Sequence, residues 1–304
     1  MDKLAAIRAF VQVVETGSFS DAASRLATGK SIISRRVSQL EKTLGVQLLH
    51  RTTRSQSLTA QGRLYYERAV RVLGDLDDAE QAVADASTGL RGRLRIAAPL
   101  SFGLHHLSAA LNSFLNQHPG IELDLDLNDR EVNLVEEGFD MAIRIGELPD
   151  STLIARRLGT CRFITCASQA YLQQHGTPGH PRDLAEHIGL HYANASLTDA
   201  WQFRDDSGSP TVTIPGIRLR ANNGDALAAA ATAGLGIVSL PTFIVADALR
   251  DKRLQAILND YRRAPIGIHA LFPPGRLMPR RVQAFADFLV GRFGEHPYWD
   301  EDLA

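Results

Sequence analysis

Apolar residues in the first sixty positions recur at the three- and four-residue spacing of helices with one buried side. Leu4, Ile7, Phe10, Val11 and Val14 form one such stripe, which ends near Gly17. Ser18 followed by Asp21 has the form of a capping box, and Ala22, Ala23 and Leu26 carry a second, short helix. Thr28-Gly29 supplies a turn, and Ile33, Val37, Leu40 and Leu44 mark a third helix that closes at Gly45. Helix, glycine-containing turn and helix is the outline of a helix-turn-helix. The segment VQLLHRTTRSQSLT then reads as a β-hairpin wing, anchored by Leu48 and Leu49. From Thr59 to about Ser87 the residues Tyr65, Ala69, Val72, Leu76, Ala79, Val83 and Ala86 alternate steps of four and three. That is the seam of a helix that wants a partner helix, and dimerisation is favoured over a helix lying on its own domain. The two glycines of STGLRGR mark a hinge.

Beyond Arg93 the pattern changes to alternating strands and helices. RLRIAA, IELDLDL, MAIRI, FITCA, IGLHYA, IRLRA, GIVSL and IGIHALF read as strands, and a hairpin turns at Ser207-Gly208. LHHLSAALNSFLNQH, REVNLVEEG, the alanine-rich stretch after Gly224 and a segment ending near Phe293 read as helices. Repeated strand–helix units predict a largely parallel sheet with covering helices. The length favours two α/β subdomains with a cleft between them, the last strand and helix returning to the first. The expected division is 1–60 for a winged helix-turn-helix domain, 61–90 for a linker helix and hinge, and 91–304 for the α/β domain. Within the last, about 91–163 and 268–304 form one subdomain and about 164–267 the other.

Ala226 to Ala246 carries no charge over a length that could span a bilayer. Gly234, Gly236 and Pro241 interrupt it, so a helix, turn, buried strand and second helix is the better reading, without a membrane span. Arg8 breaks the apolar core that a signal peptide requires, and the two cysteines, Cys161 and Cys166, imply no disulfide framework. A reducing cytoplasm fits. The net charge of −1 conceals an asymmetry: residues 1–62 hold nine Lys/Arg against four acids, and residues 92–304 hold twenty against twenty-four. The basic segment suggests an anionic partner.

The third helix indicates which. Ser31, Ser34, Arg35 and Ser38 repeat on a face other than the apolar stripe, with Lys30 at the helix start. Short hydroxyls keep a helix narrow enough for the major groove of double-stranded DNA, and an arginine fork can pair with guanine O6 and N7. Arg51 and Arg54 in the wing are placed to reach the backbone or minor groove, and Ser20 on the second helix is counted with this DNA-facing set. Arg36 points elsewhere.

At these positions the chain resembles the LysR-type transcriptional regulators. The resemblance is carried by Ala22-Ala23, Leu26, Ser31, Ser34-Arg35, Leu40-Glu41, Leu44-Gly45, Leu48-Leu49, Arg51-Thr52, Arg54, Leu58-Thr59 and Gly62. RGRLRIAAPLSFG, LVEEGFDMAIRIGELPD and GLGIVSLP are similar to the CrgA-like branch. One departure is Gly29-Lys30, where members usually carry Ser or Ala and then Gln or Pro. Lys30 cannot make glutamine's two-way amide contact with adenine. The resemblance implies a winged helix-turn-helix, a long linker helix and a periplasmic-binding-protein-like domain of two α/β subdomains. It also implies a homodimer or homotetramer, a small-molecule effector in the cleft, and activation or repression of transcription, with RNA polymerase as a further partner.

Family effector sites lie where strand ends and helix starts of both subdomains meet. Here that maps onto Pro99, Ser101, Phe102, Ile145, Gly146, Asn194, Asn223, Ser239 and Pro241. Ser101 and Asn223 are expected to cap helices whose free N–H groups can hold a carboxylate, and Phe102 to supply an apolar wall. Arg144 is either a partner for an acidic ligand or a surface side chain. No G-x-S-x-G, P-loop, G-x-G-x-x-G or H-E-x-x-H occurs, so no catalytic residue, cofactor or metal is expected. His105-His106, and His187 with His191, read as surface or core histidines. Cys161 and Cys166, at or near one strand and five apart, read as structural. Two other readings stay open: a solute-binding protein whose amino-terminal part only oligomerises, and a redox-sensing regulator.

Overall fold

The structure, a computed structural model, describes residues 2–51, 56–83, 89–148, 151–274 and 278–301. It separates into two compact units, Met1–Gly92 with Glu136–Gly138, and Arg93–Val135 with Phe139–Ala304.

In the first unit, α1 (Lys3–Thr16) starts at Asp2, whose carboxylate accepts from the Ala5 amide at 3.0 Å, and stops at Gly17 in the left-handed region. Helix α2 (Phe19–Arg25) is capped by Ser18, whose hydroxyl accepts from the amides of Ser20 and Asp21. Helix α3 (Lys30–Leu44) ends at Gly45, at φ 71°. Ala6 and Phe10 of α1, Ala22 of α2, and Ile33, Val37 and Leu40 of α3 are fully buried around Leu48. Strands β1 (Leu49–Arg51) and β2 (Gln56–Leu58) pair antiparallel as the wing, Leu49 opposite Leu58. Glu41 Oε1 accepts from the amides of Leu48 and Leu49, at 2.9 and 3.2 Å, which ties α3 to the base of the wing.

Helix α4 (Ala60–Val83) begins at Thr59, whose hydroxyl donates to Gln47 O and accepts from the Gly62 amide at 2.8 Å. Two members of the expected dimer seam are engaged within the chain. Ala69 is buried in the amino-terminal core, and Tyr65 packs on it with its ring centroid 5.8 Å from that of Phe10. The first turns of α4 therefore use their stripe to cover α1. The apolar residues left outward are Leu64 and Val72, each 55% exposed, with Ala79 also exposed. Leu76 is half-buried, and the side chain of Val83 lies outside the described residues.

The second unit contains two five-stranded sheets. Strands β3 (Arg91–Ala98), β4 (Gly120–Leu127), β5 (Met141–Ile145) and β6 (Ile154–Cys161) build the first, with short helix α5 (Leu100–Phe102), a π turn (Gly103–Leu107), α6 (Ser108–Gln117) and α7 (Leu134–Glu137) between them. The chain crosses to β7 (Phe163–Ala167), α8 (Gln169–His175) and β8 (Ile188–Tyr192), then α9 (Leu197–Ala200) and the antiparallel hairpin of β9 (Gln202–Arg204) and β10 (Pro210–Val212). It continues through β11 (Gly216–Ala221), α10 (Gly224–Thr232), β12 (Ile237–Pro241), α11 (Thr242–Arg250) and β13 (Gln255–Ile257). Strand β14 (Ile266–Phe272) then returns to the first sheet, and α12 (Arg280–Phe293) follows.

The strand orders are β4-β3-β5-β14-β6 and β11-β8-β12-β7-β13. Both sheets are mixed, which corrects the expectation of a largely parallel sheet. Pairs β3/β5, β8/β11 and β8/β12 are parallel, whereas β5/β14, β6/β14, β7/β12 and β7/β13 are antiparallel. The cause is the double crossover, since a strand entering a sheet from the neighbouring subdomain is not bound to the parallel geometry of a β-α-β unit.

Cys161 ends β6 in the first sheet and Cys166 lies in β7 of the second, so the two sit on strands of different sheets and not along one. Both are free and buried. Burial pushes both thiols up, Cys166 to about 12, and a thiol so placed holds almost no thiolate at neutral pH. Ellman's reagent is expected to label neither until the protein unfolds; labelling of the native protein at pH 7 would contradict this. Above about pH 8.5 the unfolded chain loses these protons and the folded chain keeps them, so stability is expected to fall as pH rises from there.

Candidate DNA-binding surface and effector cleft

On α3 the buried stripe of Ile33, Val37 and Leu40 fixes the opposite side outward. Lys30, Ser31, Arg35 and Ser38 are exposed, and Ser34 and Arg36 half-buried. Arg35 has no hydrogen bond or ion pair among the described residues. Gly29, at the cap, gives the start of α3 no side-chain hydrogen bond. The backbone there offers N–H groups beside Lys30, an arrangement that attracts phosphate. The turn before α3 holds Ala27 at φ 47°, so the left-handed residue is an alanine and not the glycine two positions on. Ser20 is exposed on α2. The Arg51 side chain and all of Arg54 lie outside the described residues.

In the second unit a cavity of about 530 Å³ runs between the two sheets' subdomains, in the size range of small-molecule sites. Pro99, Ser101, Phe102, Ile145, Gly146, Asn194, Ser239 and Pro241 line it. Asn223 does not: its Oδ1 accepts from the Ala226 amide at 3.0 Å as the cap of α10, and Gly224 beside it reaches the cavity. Ser101 is not a cap, because Pro99 holds that position; its hydroxyl donates to Asp225 Oδ2 at 2.6 Å. The Phe102 ring is fully buried, with centroids 5.4, 5.2 and 5.9 Å from Phe243, Phe293 and Trp299, so it supports the cavity floor more than it walls a ligand. Arg144 lines the cavity and pairs with Glu131, a largely exposed carboxylate.

Several polar groups of the cleft were not foreseen. Asp225, at the start of α10, also meets His105 Nε2 at 2.6 Å, so one carboxylate of the second subdomain clasps two residues of the first. Asp129 accepts from the Leu100 amide at 2.9 Å. Across the cleft, burial and the Asp129 carboxylate push the Tyr192 phenol up to about 12. Arg263 and Phe163 stand on the two crossovers between the sheets and also line the cavity. Asp225 at the start of α10 and Tyr192 at the end of β8 do stand at a helix start and a strand end, whereas Asp129 and Arg263 lie in connecting segments.

The buried histidines serve the core. His106 Nε2 donates to Phe243 O at 3.1 Å, which leaves Nδ1 to accept from the Tyr298 hydroxyl at 2.7 Å; burial lowers its pKa. Nδ1 of His187 meets the Tyr171 hydroxyl at 3.3 Å. Among the described residues no group of three His, Cys, Asp or Glu is placed to hold a metal, and no helix is long and apolar enough to cross a membrane.

A helix-turn-helix with its wing, followed by two α/β subdomains around a cleft, is the plan of a ligand-responsive transcription factor. The chain belongs to the LysR family. Residues 4–63 match the bacterial regulatory helix-turn-helix protein of the lysR family, and residues 87–294 match the LysR substrate binding domain. It is a LysR-type transcriptional regulator. The chain is 38% identical to the uncharacterised regulator YhjC of Escherichia coli, with 97% of this chain and 99% of that one covered. It is 36% identical to the regulator CrgA of Neisseria meningitidis, with 94% and 96% covered. The structure of CrgA matches over 96% of this chain and 99% of that one, at a TM-score of 0.62 and 36% identity. The full-length structure of the Vibrio cholerae virulence activator AphB matches over 95% and 98%, at 0.60 and 29%.

Proposed function

We propose that the exposed face of α3 enters the major groove of operator DNA. Arg35 reads a guanine, Ser31, Ser34 and Ser38 make close contacts, and Lys30 with the start of α3 holds a phosphate. Arg51 and Arg54 of the wing reach the adjacent backbone or minor groove, and Ser20 a phosphate. The carrying observation is the split of α3 into a fully buried aliphatic stripe and an exposed Ser/Arg face. Titrating the full-length protein onto the intergenic DNA upstream of its gene tests the phosphate contacts. Affinity is expected to fall about a thousandfold or more between roughly 50 and 200 mM salt, as for six to ten neutralised phosphates. A salt-independent affinity would favour the rival solute-binding protein, whose amino-terminal part only oligomerises.

The regulator acts as a cytoplasmic homodimer or homotetramer without catalytic activity, paired through α4 and signalling to RNA polymerase from the promoter. Leu64, Val72 and Ala79 are the outward small and apolar residues of α4, joined by Leu76. Val72→Asp is expected to shift the protein toward monomer by light scattering; an unchanged mass would place pairing elsewhere. The effector lies against Ser101, Ile145, Gly146, Asn194, Ser239 and Pro241. Pro99 and Phe102 shape the floor, and Asn223 acts only by capping α10. The two buried thiols give the redox-sensing alternative no reactive group.

A further inference from the structure

We infer that the cleft takes its effector as a monocarboxylate on an apolar body, with the Arg263 guanidinium as the anion's partner. This rests on the cleft being the effector site and assigns its ligand class. Three arginines line the cavity. Arg130 lies 3.7 Å from Asp126, and Arg144 is held by Glu131. Arg263 has no ion pair among the described residues. Its Nη1 donates to Asp199 O at 2.7 Å, its guanidinium lies 4.6 Å over the Phe163 ring, and its buried Nε has no hydrogen-bond partner. An arginine fixed by stacking and by one carbonyl bond, with a donor on its remaining edge unmet, is prepared for a planar oxoanion. Nε itself is closed off, but Nη2 on the same edge has no hydrogen-bond partner among the described residues, and an occupant that meets it gains affinity.

The surroundings limit the anion to one charge. Asp129, Glu131, Glu147 and Asp199 also line the cavity. Asp129 and Glu131 are engaged as described, Asp199 accepts from Ser196 Oγ at 2.5 Å, and Glu147 faces water. With Arg130 and Arg144 counted, the lining sets three guanidinium charges against four carboxylates, a balance that disfavours a dianion such as a phosphate ester more than a single carboxylate. Apolar side chains, Ile145, Ile266 and Leu240 among them, share the remaining lining with polar ones such as Asn194, Gln202 and Ser239, and Phe163 lies against Arg263 itself. Phe163 opens β7 after the first crossover, and Arg263 lies between β13 and β14 on the second. An anion at Arg263 therefore touches both connections between the subdomains, where a small shift changes their angle.

Calorimetry and thermal shift on the full-length protein test this with benzoate, phenylacetate, hexanoate and octanoate, each beside its neutral amide and the corresponding primary amine. At least one carboxylate is expected to bind, its amide about tenfold or more weaker. Arg263→Gln is expected to remove that preference, Arg263→Lys to keep part of it, and Arg144→Gln to leave it unchanged. Should Arg263→Gln not fold, the acid-to-amide ratio of the wild type and the Arg263→Lys variant still decide. Equal binding of acid and amide, or an undiminished preference in Arg263→Gln, overturns the assignment. Amides or amines binding in preference to acids, and displaced by Ser239→Trp, would leave the cleft an effector site but not for anions. Failure of every probe to bind would overturn the assignment and count against the cleft as well.

Discussion

Arg35→Ala is expected to weaken binding to the specific operator by about 1–3 kcal/mol, roughly five- to 150-fold, with a much smaller loss on unrelated duplex. Arg35 is exposed on α3 and has no partner among the described residues, so its removal takes nothing from the fold. Surface changes of that kind move stability by about 0.5 kcal/mol or less. The effect therefore isolates base readout. Fluorescence anisotropy on operator and scrambled duplexes separates the alternatives: an equal loss on both would make Arg35 a phosphate contact.

Gly62→Ala is expected to produce the largest structural effect. A Cβ at this position would stand 1.9 Å from Leu48 O and 2.8 Å from Leu48 C, both main-chain atoms that no rotamer change can move. The position is held from the other side as well, because the Gly62 amide donates to Thr59 Oγ1 at 2.8 Å. Alanine would contribute about 1 kcal/mol of helix propensity. Overpacking costs about 1–3 kcal/mol where side chains can yield, and here the backbone must. The clash wins, and α4 is pushed off the segment just before β1 that carries Leu48. The amino-terminal unit should melt at lower temperature and lose DNA affinity, while the regulatory unit keeps its own transition. An unchanged amino-terminal transition would refute the close approach.

The contrast between the two units explains what one sequence makes legible. Helices α1 to α3 announce themselves because their signals are local: aliphatic steps of three and four, Ser18 before α2, Gly17 and Gly45 after their helices. The exposed face of α3 follows from the buried one by geometry alone. The intramolecular role of α4 was hidden, because Tyr65 and Ala69 fit a dimer seam and an intramolecular core equally well until Phe10 is brought beside them. In the regulatory unit the pairings that matter are remote in sequence. Strand β6 was missed because IARRLGTC is exposed over its first half and buried over its second, with no regular alternation. The partners of Ser101 and Phe102, Asp225 and Trp299, lie more than a hundred residues away. Arg263 belongs to a connecting segment between strands, where only the fold shows that a crossover passes the cleft.

With the Ser/Arg face of α3 in the major groove and Arg35 on a guanine, as proposed, guanine N7 is the atom to watch. Dimethyl sulfate footprinting of the full-length protein on the DNA upstream of its gene reports on guanine N7 in that groove. Wild type is expected to protect one guanine in each half-site, and Arg35→Ala to release those guanines while the remaining pattern persists. An identical pattern for both proteins, or no N7 protection by the wild type at full occupancy, would contradict the account.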